Sequence, residues 1–94
     1  MATIVEKIES RLREKLDPAH LKIIDESSFH AGHAGAAAGG GHFQVLLVSE
    51  SFRGKGVIDR HRAVYDALGE MMRQEIHALV LRTLTPEEWK KDRP

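Results

Sequence analysis

Six histidines are the side chains in this sequence best suited to chemistry. His30 and His33 flank Ala31-Gly32, and His77 heads the apolar run His77–Leu84. His42 heads a second apolar run, His61 lies between Arg60 and Arg62, and His20 follows Asp17-Pro18. Imidazole is a ligand for zinc, copper and iron. An H-x-x-H pair is a weak metal signal alone and reads equally as two exposed loop histidines. A lone histidine at a strand end more often pairs with backbone. Together they say more, because a loop joining two strands can lie near the end of a neighbouring strand. His30 or His33 could then approach His77, and these three are the candidate metal ligands.

The chain has no cysteine. Disulfides, thiol nucleophiles and a self-contained thiolate metal site are therefore excluded. An iron–sulfur cluster is normally held by four protein ligands, mostly thiolates, although histidine can replace cysteine at one iron. This chain could supply at most a histidine half-site, with the remaining ligands coming from a second molecule. The chemistry points towards a partner protein. A zinc-binding module, which needs only the histidines, is a further alternative.

A second constellation is basic. Arg53, Lys55, Arg60 and Arg62 against Asp59 give residues 53–62 a net charge of +3. The Gly54-Lys55-Gly56 turn precedes a helix, and helix N-termini attract phosphate. These four side chains are candidate nucleic-acid contacts, and an ordinary basic turn with surface ion pairs is the plainer reading. Gly54-Lys55-Gly56 is neither a Walker loop nor a full dinucleotide fingerprint. Carboxylates show no paired pattern, and Ser27, Ser28, Ser49 and Ser51 lie in generic contexts. The protein is expected not to be an enzyme.

These groups must be positioned by a few elements. Thr3 and Glu6 form a T-x-x-E capping box, and Ile4, Val5, Ile8, Leu12 and Leu16 follow on one helical face. Glu9 and Arg13 sit four apart on the outer face, and Asp17-Pro18 ends the helix. Leu21–Asp25 is a short strand candidate. Residues 31–41 hold five Ala, five Gly and one His, a glycine density that disfavours helix and predicts a mobile loop joining two strands. His42–Ser49 is the strongest strand. One of its faces is wholly apolar and the other becomes apolar after Gln44, so the strand is expected to be covered on both sides for part of its length.

Ser51–Gly56 reads as a turn, and a second helix is expected over about 57–73 with Ile58, Val64, Tyr65, Leu68, Met71 and Met72 facing inward. His61 is expected to play a hydrogen-bonded structural role there. His77–Leu84 is the third strand. Thr85-Pro86-Glu87-Glu88 starts a short helix from which Trp89 folds back. The order helix, strand, strand, helix, strand, helix predicts an α+β two-layer sandwich, with a three-stranded sheet carrying helices on one face.

Ninety-four residues suit one small domain. Hydrophobic residues make up 41% and charged residues 30%, the balance of a soluble globular chain. Fourteen basic and fourteen acidic side chains give zero formal net charge, which argues against binding nucleic acid by charge alone. No apolar run approaches the roughly 20 residues needed to span a bilayer. Glu6, Lys7 and Glu9 near the start match neither a signal nor a transit peptide, so a cytoplasmic location is expected.

The blocks DESSFHAGHAG, HFQVLLVSESFRGKG, DRHRAVYDALGE and IHALVLRTLTPEEW, in this order, resemble the BolA family. The resemblance runs from the first helix to Trp89. Its most specific parts are Phe52-x-Gly54, Arg60-His61-Arg62 with Val64 and Leu68, and Ile76-His77-Ala78-Leu79. It implies a fold similar to a class II KH domain. It implies partnership with monothiol glutaredoxins of the CGFS type, the pair holding a bridging [2Fe-2S] cluster with thiolates from the glutaredoxin and glutathione. His77 then corresponds to the family's ligand in the IHAL block and His30 to its loop ligand, with His33 a nearby alternative. The resemblance also implies a link to transcriptional regulation and DNA binding. In place of the G-x-x-G loop of true KH domains this chain has Gly54-Lys55-Gly56, so only weak DNA binding is expected. The isolated protein is expected to be a monomer without cofactor.

Overall fold

The computed structural model describes residues 2–26 and 41–92. Helix α1 spans Ile4–Leu16. The Thr3 hydroxyl accepts from the Glu6 N–H at 3.1 Å, and the Glu6 carboxylate accepts from the Thr3 N–H at 2.8 Å. This capping box satisfies two backbone donors that the first turn leaves without partners. Asp17 ends the helix in the left-handed region, with φ 44°. Its N–H donates to the Arg13 carbonyl at 3.2 Å.

In chain order follow β1 (His20–Asp25), β2 (Gly41–Val48), a 3-10 turn (Glu50–Phe52), α2 (Val57–Leu68), α3 (Met71–Gln74), β3 (Ile76–Leu84) and α4 (Pro86–Asp92). The sheet order is β1-β2-β3. β1 runs antiparallel to β2, and β3 runs parallel to it. A parallel neighbour requires a crossover, and α2 and α3 provide it. Phe43, Val45 and Leu47 of β2 share one buried cluster with Ile8, Leu12, Val64, Leu68 and Phe52. Each such side chain stabilises the fold by about 1.5–3 kcal/mol through burial. The architecture is the α+β, three-stranded arrangement expected from the order of elements.

Four local expectations are corrected. Gly41, placed in the Ala/Gly loop by composition, is the first residue of β2, and the rest of that loop lies outside the described residues. The helix expected over 57–73 breaks at Gly69, whose φ is 55°. The Leu68 carbonyl there accepts from the Arg11 guanidinium at 3.3 Å, which ties α1 to the end of α2. Ile58 and Tyr65 are not inward-facing, being 70% and 40% exposed, while Ala67 is buried. The buried stripe is Val64, Ala67, Leu68 and Met71, at the three-to-four spacing of one helical face. Finally, Ser49 lies beyond the strand. Its buried hydroxyl donates to the Leu16 carbonyl at 2.6 Å, joining the end of β2 to the end of α1.

The second face of β2 is covered for part of its length, as expected. Val48 is buried and Leu46 is half-buried, but Gln44, Ile24, Lys22, Val80 and Arg82 are exposed. At the covered end Trp89 of α4 stacks on His20, with ring centres 4.9 Å apart. Among the described residues no helix is long and apolar enough to cross a membrane.

Candidate metal centre

The opposite end of the sheet carries His42 and His77. β1 ends at Asp25 opposite Phe43, and β2 begins at Gly41. The Glu26 N–H donates to the His42 carbonyl at 2.8 Å. The Glu26 carboxylate accepts from the Gln44 side-chain amide at 2.8 Å. On the other side of β2, the Gly41 N–H donates to the Glu75 carbonyl at 3.0 Å. The two ends of segment 27–40 are therefore fixed side by side, and Gly41 is fixed against the start of β3.

His77 stands in a bulge. Gly41 pairs with Ile76 and His42 with Ala78, so His77 is the additional residue on β3. A bulge of this kind breaks the alternation of side chains and re-aims the one it inserts. Ile76 on one side of it is buried in the core, and His77 is exposed. Its ring lies beside that of His42, with centres 5.1 Å apart and planes tilted by 40°.

Of the three predicted ligands, His77 is thus placed on a fixed strand at this end of the sheet. His30 and His33 lie outside the described residues. His42 was not among the predicted ligands. The signal was present, since His42 and His77 each open an apolar run, but the parallel pairing that makes them neighbours is not written in either run. Among the described residues no group of three or more His, Cys, Asp or Glu side chains is placed to hold a metal. His20 is held against Trp89 at the far end of the sheet.

Two of the four basic residues are committed to internal partners. Arg53 pairs with Glu50 at 2.9 Å and Glu87 at 3.3 Å, which raises its own pKa and, for Glu50, lowers it. Arg60, only 11% exposed at its side chain, pairs with Glu88 at 2.6 Å. It also donates to the Lys55 and Thr83 carbonyls and lies 6.0 Å over the Phe52 ring. Arg60 and the Thr85 cap together hold the Glu88 carboxyl down to about 2. Lys55 and Arg62 are exposed. Gly54 takes φ 79°, which is the conformation that lets the turn close before α2.

The family model for BolA-like protein matches residues 12–88. The DNA-binding transcriptional regulator BolA of Escherichia coli (strain K12) is 42% identical over 86 residues, covering 92% of this chain and 79% of that protein. Protein BOLA2 of Arabidopsis thaliana is 44% identical over 86 residues, covering 90% of this chain and 82% of that one. The solved structure of BolA1 from Arabidopsis thaliana is similar at a TM-score of 0.81 and 36% identity, covering 94% of this chain and 97% of that one.

Proposed function

The chain belongs to the BolA-like protein family, and on that premise we propose that it is a non-catalytic partner of a CGFS-type monothiol glutaredoxin. In this reading it co-ligates a bridging [2Fe-2S] cluster, in iron–sulfur cluster assembly, trafficking or iron sensing. One observation carries the reading: the segment that holds His30 and His33 leaves the sheet at Glu26 and rejoins it at Gly41, at the same end as His77, and its Gly41 end is bonded directly beside the start of β3.

The donor set fits a shared cluster rather than a resident one. The chain offers imidazoles and no thiolate, and among the described residues no three ligating side chains converge. His77, with His30 or His33, would occupy one side of the cluster, and the glutaredoxin cysteine and glutathione the other. When bound, the cluster would supply an iron–sulfur centre open to transfer or redox change. The role of His77 is to present imidazole nitrogen on a rigid sheet edge.

The test is to mix the chain with a CGFS glutaredoxin, glutathione, ferrous iron and sulfide without oxygen. A complex containing one copy of each protein and the visible absorption of a [2Fe-2S] cluster supports the reading. Separate proteins, or a cluster bound by glutaredoxin alone in the same amount, would refute it.

A second reading is favoured by one comparison, the relative named as a DNA-binding transcriptional regulator. Here Lys55 and Arg62 would meet phosphates directly. Arg53 and Arg60 would do so only by giving up their carboxylate partners.

A further inference from the structure

The bulge at the start of β3 brings together two imidazoles that the cluster reading does not pair. His42 leaves β2 opposite Ala78, and His77 is the residue inserted before Ala78. Their ring centres are 5.1 Å apart. Two imidazoles bound to one tetrahedral ion at about 2.0–2.1 Å per nitrogen place their ring centres roughly 5 Å apart. The observed spacing meets that requirement.

Both side chains stand on strands whose backbones are locked. β2 and β3 are paired from Gly41–Ile76 to Val48–Leu84. The Gly41–Glu75 and Glu26–His42 hydrogen bonds fix the chain on either side. Little ordering would then be needed on binding, which is the condition under which a two-ligand site gains affinity over two separate histidines.

We propose that His42 and His77 form a two-imidazole site that chelates a divalent cation of the zinc class in the isolated chain. Solvent would complete the shell. The proposal shares His77 with the cluster site and rests on that reading only for this common residue. It requires neither segment 27–40 nor a glutaredoxin. It assigns His42 a role as a ligand, and it predicts that zinc competes with cluster binding for His77.

The test uses the full chain alone, titrated with zinc chloride near neutral pH. Calorimetry gives stoichiometry and affinity, and nitrogen-15 NMR of the histidine rings shows which imidazoles respond. The expected result is one equivalent of zinc, with the His42 and His77 ring nitrogens shifting together. His42→Ala and His77→Ala should each weaken binding by at least about tenfold, since even residues that merely support a ligand are worth roughly 10–100-fold. The double variant His30→Ala/His33→Ala should keep the unmodified affinity.

A His42 ring unmoved at saturating zinc would overturn the proposal, and so would unmodified affinity in His42→Ala. If His42→Ala fails to fold, the ring shifts of the unmodified chain decide the matter alone. Zinc chelation by a chain that forms no mixed cluster would defeat the glutaredoxin reading and sustain this one.

Discussion

His42 and His77 face one another across the paired strands β2 and β3, with ring centres 5.1 Å apart. The relationship depends on a single inserted residue. Ile76 is committed to the core and Ala78 is paired with His42, so the bulge leaves His77 exposed between them. An exposed imidazole on a locked strand contributes little buried area and keeps its ring available to a ligand.

That arrangement separates function from stability. His77→Ala should leave thermal unfolding within about 0.5 kcal/mol of the unmodified chain, as for most surface substitutions. The same variant should lose or alter the cluster shared with glutaredoxin. Calorimetric unfolding and visible spectra of the mixture check both halves, and an unchanged cluster in the variant would remove His77 from the site.

His30 and His33 should not be equivalent. The resemblance places the loop ligand at His30, so His30→Ala is expected to damage the mixed cluster more than His33→Ala. Cluster lifetime in the presence of an iron chelator measures the difference. Unimpaired lifetimes in both single variants and in the double variant would exclude a ligand from this segment.

The Arg60–Glu88 pair should shape acid stability. Glu88 titrates near 2 when folded, against about 4.5 for an ordinary glutamate. Its folded value is depressed, so its contribution is fully present above the ordinary value and is lost as pH falls through the folded one. Acid unfolding followed by Trp89 emission should therefore steepen between about pH 4.5 and 2. Glu88→Gln should flatten that interval and leave the neutral-pH fold in place. A variant with the same acid profile as the unmodified chain would show that the pair does not couple folding to protonation.

For DNA, the geometry divides the four basic residues. Removing one cation that neutralises a phosphate should lower the salt slope of binding by about one. Neutralising Lys55 or Arg62 should do this without affecting folding. Substituting Arg60 should instead lower stability, because it leaves Glu88 half-exposed without its partner and releases the Thr83 carbonyl. Salt-dependent binding titrations paired with thermal melts separate the two classes. A salt slope that responds to Arg60 but not to Lys55 or Arg62 would place the interface elsewhere.

Much of this fold was legible because its signals are local. Thr3 with Glu6 and Thr85 with Glu88 announce their helices through side chains three residues apart, and both reciprocal pairs form. The alternation of Phe43, Val45 and Leu47 marks the core face of β2. What the sequence hid depends on distant partners. The break at Gly69 is fastened by Arg11 on another helix. Ile58 sits at helical spacing yet projects from the first turn of α2. The basic turn looks free until Glu87 and Glu88, more than twenty residues later, close on Arg53 and Arg60. The neighbourhood of His42 and His77 arises from a parallel register and a bulge, neither of which has a local signature.

In the proposed mixed complex, histidine nitrogen of this chain binds iron of the cluster shared with the glutaredoxin. The most direct measurement is pulsed electron paramagnetic resonance of the reduced mixed complex, prepared with this chain labelled with nitrogen-15 at histidine alone. Strong coupling between the cluster and labelled nitrogen is expected, reduced when His77 is replaced by alanine and lost when His30 and His33 are replaced as well. A reduced cluster that shows no coupling to labelled nitrogen in the unmodified complex would contradict it.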